Sequence, residues 1–191
     1  MSRLVGASET PPLHRAYDPD DVVDFHAARL LILLLICGQG RMPAIEGRTK
    51  LAKLDFFIRY PSFLERAERH LADQGSPSSE YRATGAEVEA PMIRYRYGPW
   101  DPRYRQFLAF LEARSLVRVA KRPPEKVTLS AAGRGLAEVL AGEPAFAPLT
   151  ARCRAMVGNL ADMTGTRIKE FVYDIFAEEI AALTLRQVIE P

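Results

Sequence analysis

Hydrophobic residues recur at helical spacing through the first third of the chain. Residues 22–36 are apolar on almost every face, a pattern typical of a helix inside a protein core, and Asp20 or Asp21 is its predicted N-cap. A second helix is predicted to begin near Gly47, after a break that contains glycine and proline. A third helix is predicted over 62–72, with its first residue as N-cap.

The pattern changes in the middle of the chain. The segment 74–91 is rich in glycine and serine and is predicted to be a surface loop. Residues 92–97 alternate apolar or aromatic side chains with arginine, which is typical of a half-buried strand. A helix is predicted over 103–114, and two short strands, 116–121 and 126–129, follow as a hairpin. The predicted buried face of that helix consists of Tyr104, Phe107, Leu108 and Leu111.

Helical spacing returns in the last third. Ser130 is the predicted N-cap of a helix over 131–140, which a glycine and a proline end. Two further helices are predicted over 149–163 and 166–183. The fold class predicted from these elements is mostly α with a small β-hairpin.

Length and composition fit either one core with an appendage or two small domains. We expect an extended arm over 1–19, a main domain over 20–142 and a C-terminal helical extension over 143–191. The two cysteines, Cys37 and Cys153, lie in apolar helical patterns and form no disulfide framework, so a reducing cytoplasm is expected. The longest apolar run is far below the ~20 residues that span a bilayer, so no membrane partner is expected.

The order of the predicted elements, with a hairpin between two helices, is that of a winged-helix domain. Residues 110–140 read FLEARSLVRVAKRPPEKVTLSAAGRGLAEVL. They resemble the winged-helix pattern in which a helix ends on Leu-x-x-x-x-Leu-Val, a hairpin follows, and Leu-Ser/Thr-x-x-Gly opens the next helix. The resemblance implies a winged helix-turn-helix core followed by C-terminal helices. Winged helices bind DNA or other proteins, so the fold alone does not assign a function.

A narrower resemblance rests on residues 29–61 joined to 94–117. The matching features are the sequence IEGRTKL, which opens the second predicted helix at residues 45–51, and the turn YGPW at residues 97–100. They resemble the small winged-helix middle components of bacterial three-component ABC-ATPase systems, which include the accessory subunit of Lamassu-type anti-phage defence. That resemblance implies a role similar to the winged-helix accessory subunits of SMC complexes, beside a coiled-coil ATPase and an effector. It brings no catalytic residue with it.

Charge is distributed unevenly along a chain whose formal net charge is only +2. Residues 92–126 contain nine basic and three acidic side chains, interleaved with tyrosine and tryptophan. Basic residues interleaved with aromatics on a helix and wing are suited to the phosphate backbone, and contact without base readout is non-specific. Ion pairs with nearby carboxylates or with a partner protein are the alternative. The nucleic-acid-binding candidates are Arg94, Arg96, Arg103, Arg105, Arg114, Arg118, Lys121, Arg122 and Lys126.

Two other charged or apolar surfaces are expected. The second predicted helix has Arg48, Lys50, Lys53 and Arg59 beside its apolar stripe, and a solvated face is expected there rather than a DNA contact. Residues 155–191 have three basic and six acidic side chains. Large apolar residues in this segment either pack on the body of the protein or dock on a partner or a second copy. The partner-binding candidates are Phe171, Ile175, Phe176 and Ile180.

No catalytic motif is present in the sequence. The three histidines are scattered, and neither a phosphate-binding glycine loop with its lysine nor a zinc or nucleophile motif occurs. We therefore expect no catalytic residue, no cofactor and no metal.

Together, the resemblance and the uneven charge predict a non-catalytic winged-helix accessory subunit of an SMC-like ATPase complex, in bacterial anti-phage or anti-plasmid defence. Its partners would be a coiled-coil ATPase and an effector subunit, with double-stranded DNA near the basic helix and wing. The sequence leaves open a stand-alone winged-helix transcription regulator that forms a homodimer through the C-terminal helices.

Overall fold

The computed structural model describes residues 22–79, 81–84, 91–120, 122–123 and 125–190. These residues are mostly helical with small antiparallel sheets, which confirms the predicted mostly-α class with a small β region. The predicted arm over 1–19 and the predicted caps Asp20 and Asp21 lie outside the described residues. The helices are α1 Val23–Cys37, α2 Arg48–Arg59, α3 Pro61–Asp73, α4 Tyr104–Ala113, α5 Ala131–Gly142, α6 Ala147–Ala155 and α7 Gly165–Ile175. The strands are β1 Ala44–Glu46, β2 Ile93–Tyr95, β3 Gly98–Trp100, β4 Val117–Ala120 and β5 Lys126–Leu129.

The strands form two antiparallel sheets. The larger sheet has the order β1-β5-β4, so the predicted β4–β5 hairpin gains a third strand from the segment before α2. The smaller sheet pairs β2 with β3, with Ile93 opposite Trp100. Gly98 was expected in a turn; it instead begins β3 with φ of +93°, which a glycine adopts without strain.

Three predicted helix boundaries are wrong. The helix predicted over 166–183 ends at Ile175, and a short π-helix, Ala177–Ala181, follows it. The third helix begins at Pro61, with Tyr60 as the capping residue, because proline is well suited to the first helical position; Ser62 lies inside the first turn. The helix predicted over 149–163 ends at Ala155, and Asn159 then caps a short 3₁₀ turn by accepting from a backbone N–H. By contrast, Ser130 caps α5 as predicted, because its hydroxyl accepts from the Gly133 N–H at 2.9 Å.

A single hydrophobic core runs through the described residues. Helix α1 is buried along almost its whole length and packs against α4, α5 and α6. The core cluster extends beyond residue 142, where the C-terminal extension was predicted to begin, and includes Leu149, Cys153, Ile168 and Phe176. None of the described helices is long and apolar enough to cross a membrane.

The segment 186–189 is attached to the edge of β2. Arg94 N–H donates to the Gln187 carbonyl at 2.8 Å, and Ile189 N–H donates to the Met92 carbonyl at 2.9 Å. The Tyr60 hydroxyl links this segment to the start of β2, since it donates to the Ile189 carbonyl at 2.8 Å and accepts from Met92 N–H at 2.8 Å. Burial raises the pKa of Tyr60 to about 12, so it stays a neutral donor. These bonds hold 186–189 as an outer strand of the β2–β3 sheet.

Candidate nucleic-acid interface

The basic residues predicted to contact nucleic acid lie on α4 and on both sheets. Arg105 is on α4, Arg118 on β4 and Arg122 in the connection from β4 to β5. All three side chains are exposed, and none makes a hydrogen bond or ion pair with another described residue. Lys121 lies outside the described residues. Among the described residues, the three arginines are therefore the members of the predicted set on α4 and the β4–β5 hairpin that have no partner and can meet phosphates.

Three other members of the set are engaged with their neighbours. Arg103 donates from Nε and Nη2 to the Asp101 carboxylate at 3.1 and 3.0 Å. The Arg114 guanidinium lies 3.6 Å from the centre of the Phe110 ring, a cation–π contact. Lys126 Nζ is 3.5 Å from the carboxylate at the end of β1. Ion pairing with a carboxylate, the alternative to nucleic-acid contact, therefore describes Arg103 and Lys126, whereas Arg114 stacks on an aromatic ring.

Arg94 and Arg96 belong to the smaller sheet. Arg96 is exposed in the turn between β2 and β3. Arg94 is half-buried, and its Nε has no hydrogen-bond partner among the described residues. Both arginines therefore lie on the β2–β3 hairpin, beside its exposed aromatic residues, and not on α4 or the β4–β5 hairpin.

A groove of about 590 Å³ lies between α4 and the β4–β5 hairpin. Its two carboxylates are both bound locally: Glu125 accepts from Arg48 Nε at 2.6 Å, and Glu112 accepts from the Val119 N–H at 3.2 Å. Arg105 is the basic side chain of this groove without a partner in the described part of the chain. The groove lining consists of Arg48, Arg105, Leu108, Ala109, Glu112, Val119, Pro123 and Glu125.

A buried ionic network anchors the start of α4 to the core. The Asp55 carboxylate accepts from Arg29 Nε at 2.7 Å, from Arg59 Nε at 3.0 Å and from the Tyr104 hydroxyl at 2.7 Å. Arg59 Nη1 also donates to Asp101 Oδ2 at 2.8 Å. Because α1, α2 and α4 each contribute a member, the network fixes where α4 lies relative to the rest of the core.

Burial and the opposite charges act against each other within this network. Burial acts to raise the pKa of Asp55, but the charges of Arg29 and Arg59 outweigh it and hold that pKa well below its usual range. Burial likewise acts to lower the pKa of Arg59, and Asp55 with Asp101 outweighs it and raises that pKa. Burial, followed by the charge of Arg59, lowers the pKa of Arg29. Asp55 is thus an ionised carboxylate at neutral pH.

The prediction that the basic residues of α2 form a solvated face is wrong. Every residue from 50 to 59 is buried, including Lys50, Lys53 and Arg59. Arg59 is neutralised by two carboxylates, whereas Lys53 donates to the Pro99 carbonyl at 3.0 Å and to no carboxylate among the described residues. The signal present in the sequence was Asp55 four residues before Arg59, a spacing that brings their side chains together on one helix face.

Replacing Lys53 by methionine is expected to raise the free energy of unfolding at pH 7 by about 1–2 kcal/mol, because it removes a buried ammonium. Burial, with a smaller effect of Lys169, lowers the pKa of Lys53 from 10.5 to about 7. Since the folded protein binds this proton more weakly than the unfolded chain, the contribution of Lys53 to wild-type stability should rise between pH 7 and 10.5. Urea denaturation across this pH range should show that rise flattened in Lys53→Met; an unchanged slope would contradict it.

The predicted partner-binding residues are mostly part of the chain's own core. Phe171, Phe176 and Ile180 are buried and Ile175 is partly buried. The Phe176 ring lies 4.8 Å from that of Phe63, centre to centre. These side chains therefore pack on the rest of the chain, which is one of the two alternatives that the sequence left open.

No group of three His, Cys, Asp or Glu side chains among the described residues is placed to bind a metal ion. No family model, curated protein or solved structure matches this chain, so what it does has to be inferred from its own residues.

Proposed function

We propose that this chain is a non-catalytic winged-helix accessory subunit that holds double-stranded DNA within an SMC-like ATPase complex of bacterial defence. The order of elements supports a winged helix: α1, β1 and α2 come first, α4 leads directly into the β4–β5 hairpin, and α5 follows. The β1-β5-β4 sheet joins the strand before α2 to the wing. On this interpretation α3 and the β2–β3 hairpin are an insertion between the second and third helices of the winged helix.

The observation that carries the DNA part of the proposal is the set of exposed arginines on α4 and the wing. Arg105, Arg118 and Arg122 have no partner in the described part of the chain. Arginine presents a planar fork of donors to phosphate oxygens. The buried network through Asp55 and Tyr104 holds α4 in place beneath them. A rigid helix and wing with free guanidinium groups is suited to grip a DNA backbone without reading its sequence.

The buried C-terminal helix offers its apolar residues neither to a second copy nor to an ATPase, so the accessory-subunit role is proposed over the stand-alone regulator from the resemblance alone. A regulator that dimerises through Phe171, Phe176 and Ile180 would need those side chains on the surface, and they lie in the core of the same chain. Leu185 and Val188 are the large apolar side chains after residue 180 that are exposed among the described residues. The ATPase partner itself is proposed from the resemblance of residues 29–61 and 94–117.

Changing Arg105, Arg118 and Arg122 together to glutamate is expected to lower non-specific affinity for double-stranded DNA at least ~100-fold at low salt, because three phosphate contacts become repulsive. For the wild type, the logarithm of the affinity should fall with the logarithm of salt concentration with a slope near −3 or steeper. Fluorescence anisotropy with a random-sequence duplex measures both quantities.

The matched control carries the same charge change elsewhere. Arg69, Arg82 and Arg154 are exposed on α3, the following loop and α6, and their joint change to glutamate should alter DNA affinity less than ~5-fold. Equal losses in the two triple variants would refute the assignment of the DNA surface. Co-purification with a coiled-coil ATPase encoded beside this gene tests the accessory role, and tight operator-specific binding by an isolated homodimer would overturn it.

A further inference from the structure

The β2–β3 hairpin forms the wall of a cavity that the proposed DNA surface does not use. This aromatic pocket has a volume of about 230 Å³, and its lining includes Tyr95, Tyr97 and Trp100 together with Thr49 and Lys53 of α2. Tyr95 and Tyr97 are 45% and 52% exposed. The Tyr95 and Trp100 rings are stacked, with centres 6.2 Å apart. Exposed, stacked aromatic side chains around a small cavity offer a surface on which a flat ring can lie.

A buried lysine side chain lines the same pocket. Lys53 is 1% exposed, and its Nζ donates to the Pro99 carbonyl. An ammonium has three donors, and no carboxylate among the described residues pairs with this one. Gly98 makes room for it, because a Cβ there would lie 3.2 Å from Lys53 Cε. A methionine at position 53 would be buried at a lower cost in stability than a lysine. The presence of a lysine there therefore suggests a role for its charge.

A second cavity continues the aromatic pocket towards α7. Its volume is about 390 Å³, and Thr49 and Tyr97 line both cavities. Lys169 and the first residues of α7 line the far side, where backbone N–H groups and the helix dipole favour an anion. The carboxylate that lines this cavity, Glu46, is within 3.5 Å of Lys126 Nζ.

The two lysines act on each other across this space. The positive charge of Lys169 adds to the effect of burial in lowering the pKa of Lys53. Two amino groups whose positive charges repel each other are stabilised when an anion binds near both. Aromatic rings that accept a flat ring and cations that accept an anion therefore lie side by side in one two-part cavity.

We propose that this cavity binds one nucleotide, with its base against the aromatic side chains of the hairpin and its phosphate between Lys53 and Lys169. The ligand is either a free nucleotide or one nucleotide unit of a single-stranded nucleic acid, since both supply the same base and phosphate. This binding site is distinct from the arginines of α4 and the wing and does not rest on the proposed DNA contact.

Intrinsic fluorescence tests the proposal directly, because Trp100 is the only tryptophan of the chain and lines the pocket. The probes are thymidine 5′-monophosphate, thymidine, inorganic phosphate and a 5′-phosphorylated ten-residue oligothymidylate, each titrated into the full chain. We expect the monophosphate to change the Trp100 emission and to bind at least ~10-fold more tightly than thymidine or phosphate alone, because either part lacks half of the contacts.

The variants separate the contacts within the site. Lys53→Met and Lys169→Met should each weaken nucleotide binding ~10-fold or more, and Tyr97→Ala ~5-fold or more. Arg154→Met removes a positive charge and Tyr81→Ala removes a tyrosine at positions that do not line either cavity, and both should stay within ~2-fold. Thermal denaturation of every variant shows that a loss of binding is not a loss of folding.

The outcomes are distinct. Equal affinity for the monophosphate and the oligonucleotide identifies a free nucleotide as the ligand, and an oligonucleotide that binds at least ~10-fold more tightly identifies a single strand. No change in emission with either probe, phosphate alone binding as tightly as the nucleotide, or wild-type affinity in both lysine variants would overturn the proposal. The triple glutamate variant of Arg105, Arg118 and Arg122 should bind the monophosphate normally, which separates this site from the proposed function.

Discussion

Replacing Asp55 with alanine is expected to lower the free energy of unfolding by about 3–5 kcal/mol, because it leaves buried arginines without their shared carboxylate. Its carboxylate accepts from Arg29, Arg59 and Tyr104 in the core. Arg59 retains Asp101 in the variant, but Arg29 is left as a buried guanidinium without a carboxylate. Urea denaturation at pH 7 measures the loss.

The size of the loss distinguishes a buried network from ordinary surface charge. Asp174 is exposed on α7, and its change to alanine should alter stability by less than ~0.5 kcal/mol. Asp55→Asn keeps the shape and removes the charge, so it should still cost most of the effect. A loss below ~1 kcal/mol in Asp55→Ala would mean that the two arginines find other partners.

The Asp55 carboxylate also makes the stability of the protein depend on pH in the acid range. The pKa of Asp55 is held well below its ordinary range in the folded state, chiefly by Arg29 and Arg59 acting against the effect of burial. Its contribution to stability is therefore complete above the unfolded-state pKa of about 4 and declines as the pH falls below it. Wild-type stability should fall as the pH drops below about 4, and Asp55→Asn should show a shallower fall.

Replacing Gly133 with alanine is expected to lower the free energy of unfolding by about 3 kcal/mol or more. Gly133 lies in the first turn of α5, and a Cβ there would be 1.8 Å from the Leu116 carbonyl oxygen. That carbonyl is backbone and accepts from Ser130 N–H at 3.0 Å, so it cannot move aside without breaking the junction between α4, β4 and α5.

Gly135, two residues later in the same helix, is the matched control. A Cβ there meets nothing within 4 Å, so Gly135→Ala should raise stability by ~0.5–1 kcal/mol through helix propensity. Opposite signs for the two changes, measured by thermal or chemical denaturation, are the expected result. A neutral Gly133→Ala would show that α5 can shift away from Leu116.

Local sequence patterns predicted the elements that lie next to one another in the chain. The buried face of α4, the β4–β5 hairpin and the Ser130 cap all rest on contacts within about one turn or one hairpin, and all are present. Strand β1 was missed because three residues carry no period of their own. It exists because β5, some 80 residues later, supplies its partners.

The candidate sites were harder to predict because their parts come from distant segments. The lysines of α2 looked solvated, since nothing near them in the sequence reveals that α7 and the β2–β3 hairpin cover that helix. The basic residues of 92–126 looked like one patch, but pairing of Arg103 with Asp101 and stacking of Arg114 on Phe110 divide them. Phe176 was a candidate for a partner because an apolar helix face does not say what it packs against.

The outer strand formed by 186–189 has a consequence for how the molecule is made. It pairs with β2, whose residues leave the ribosome long before residue 189 does. Synthesis proceeds at about 5–20 residues per second, so for some seconds the β2–β3 hairpin exists without the strand that covers its edge. The edge of β2 should therefore be among the last parts of the newly made protein to gain its final hydrogen bonds.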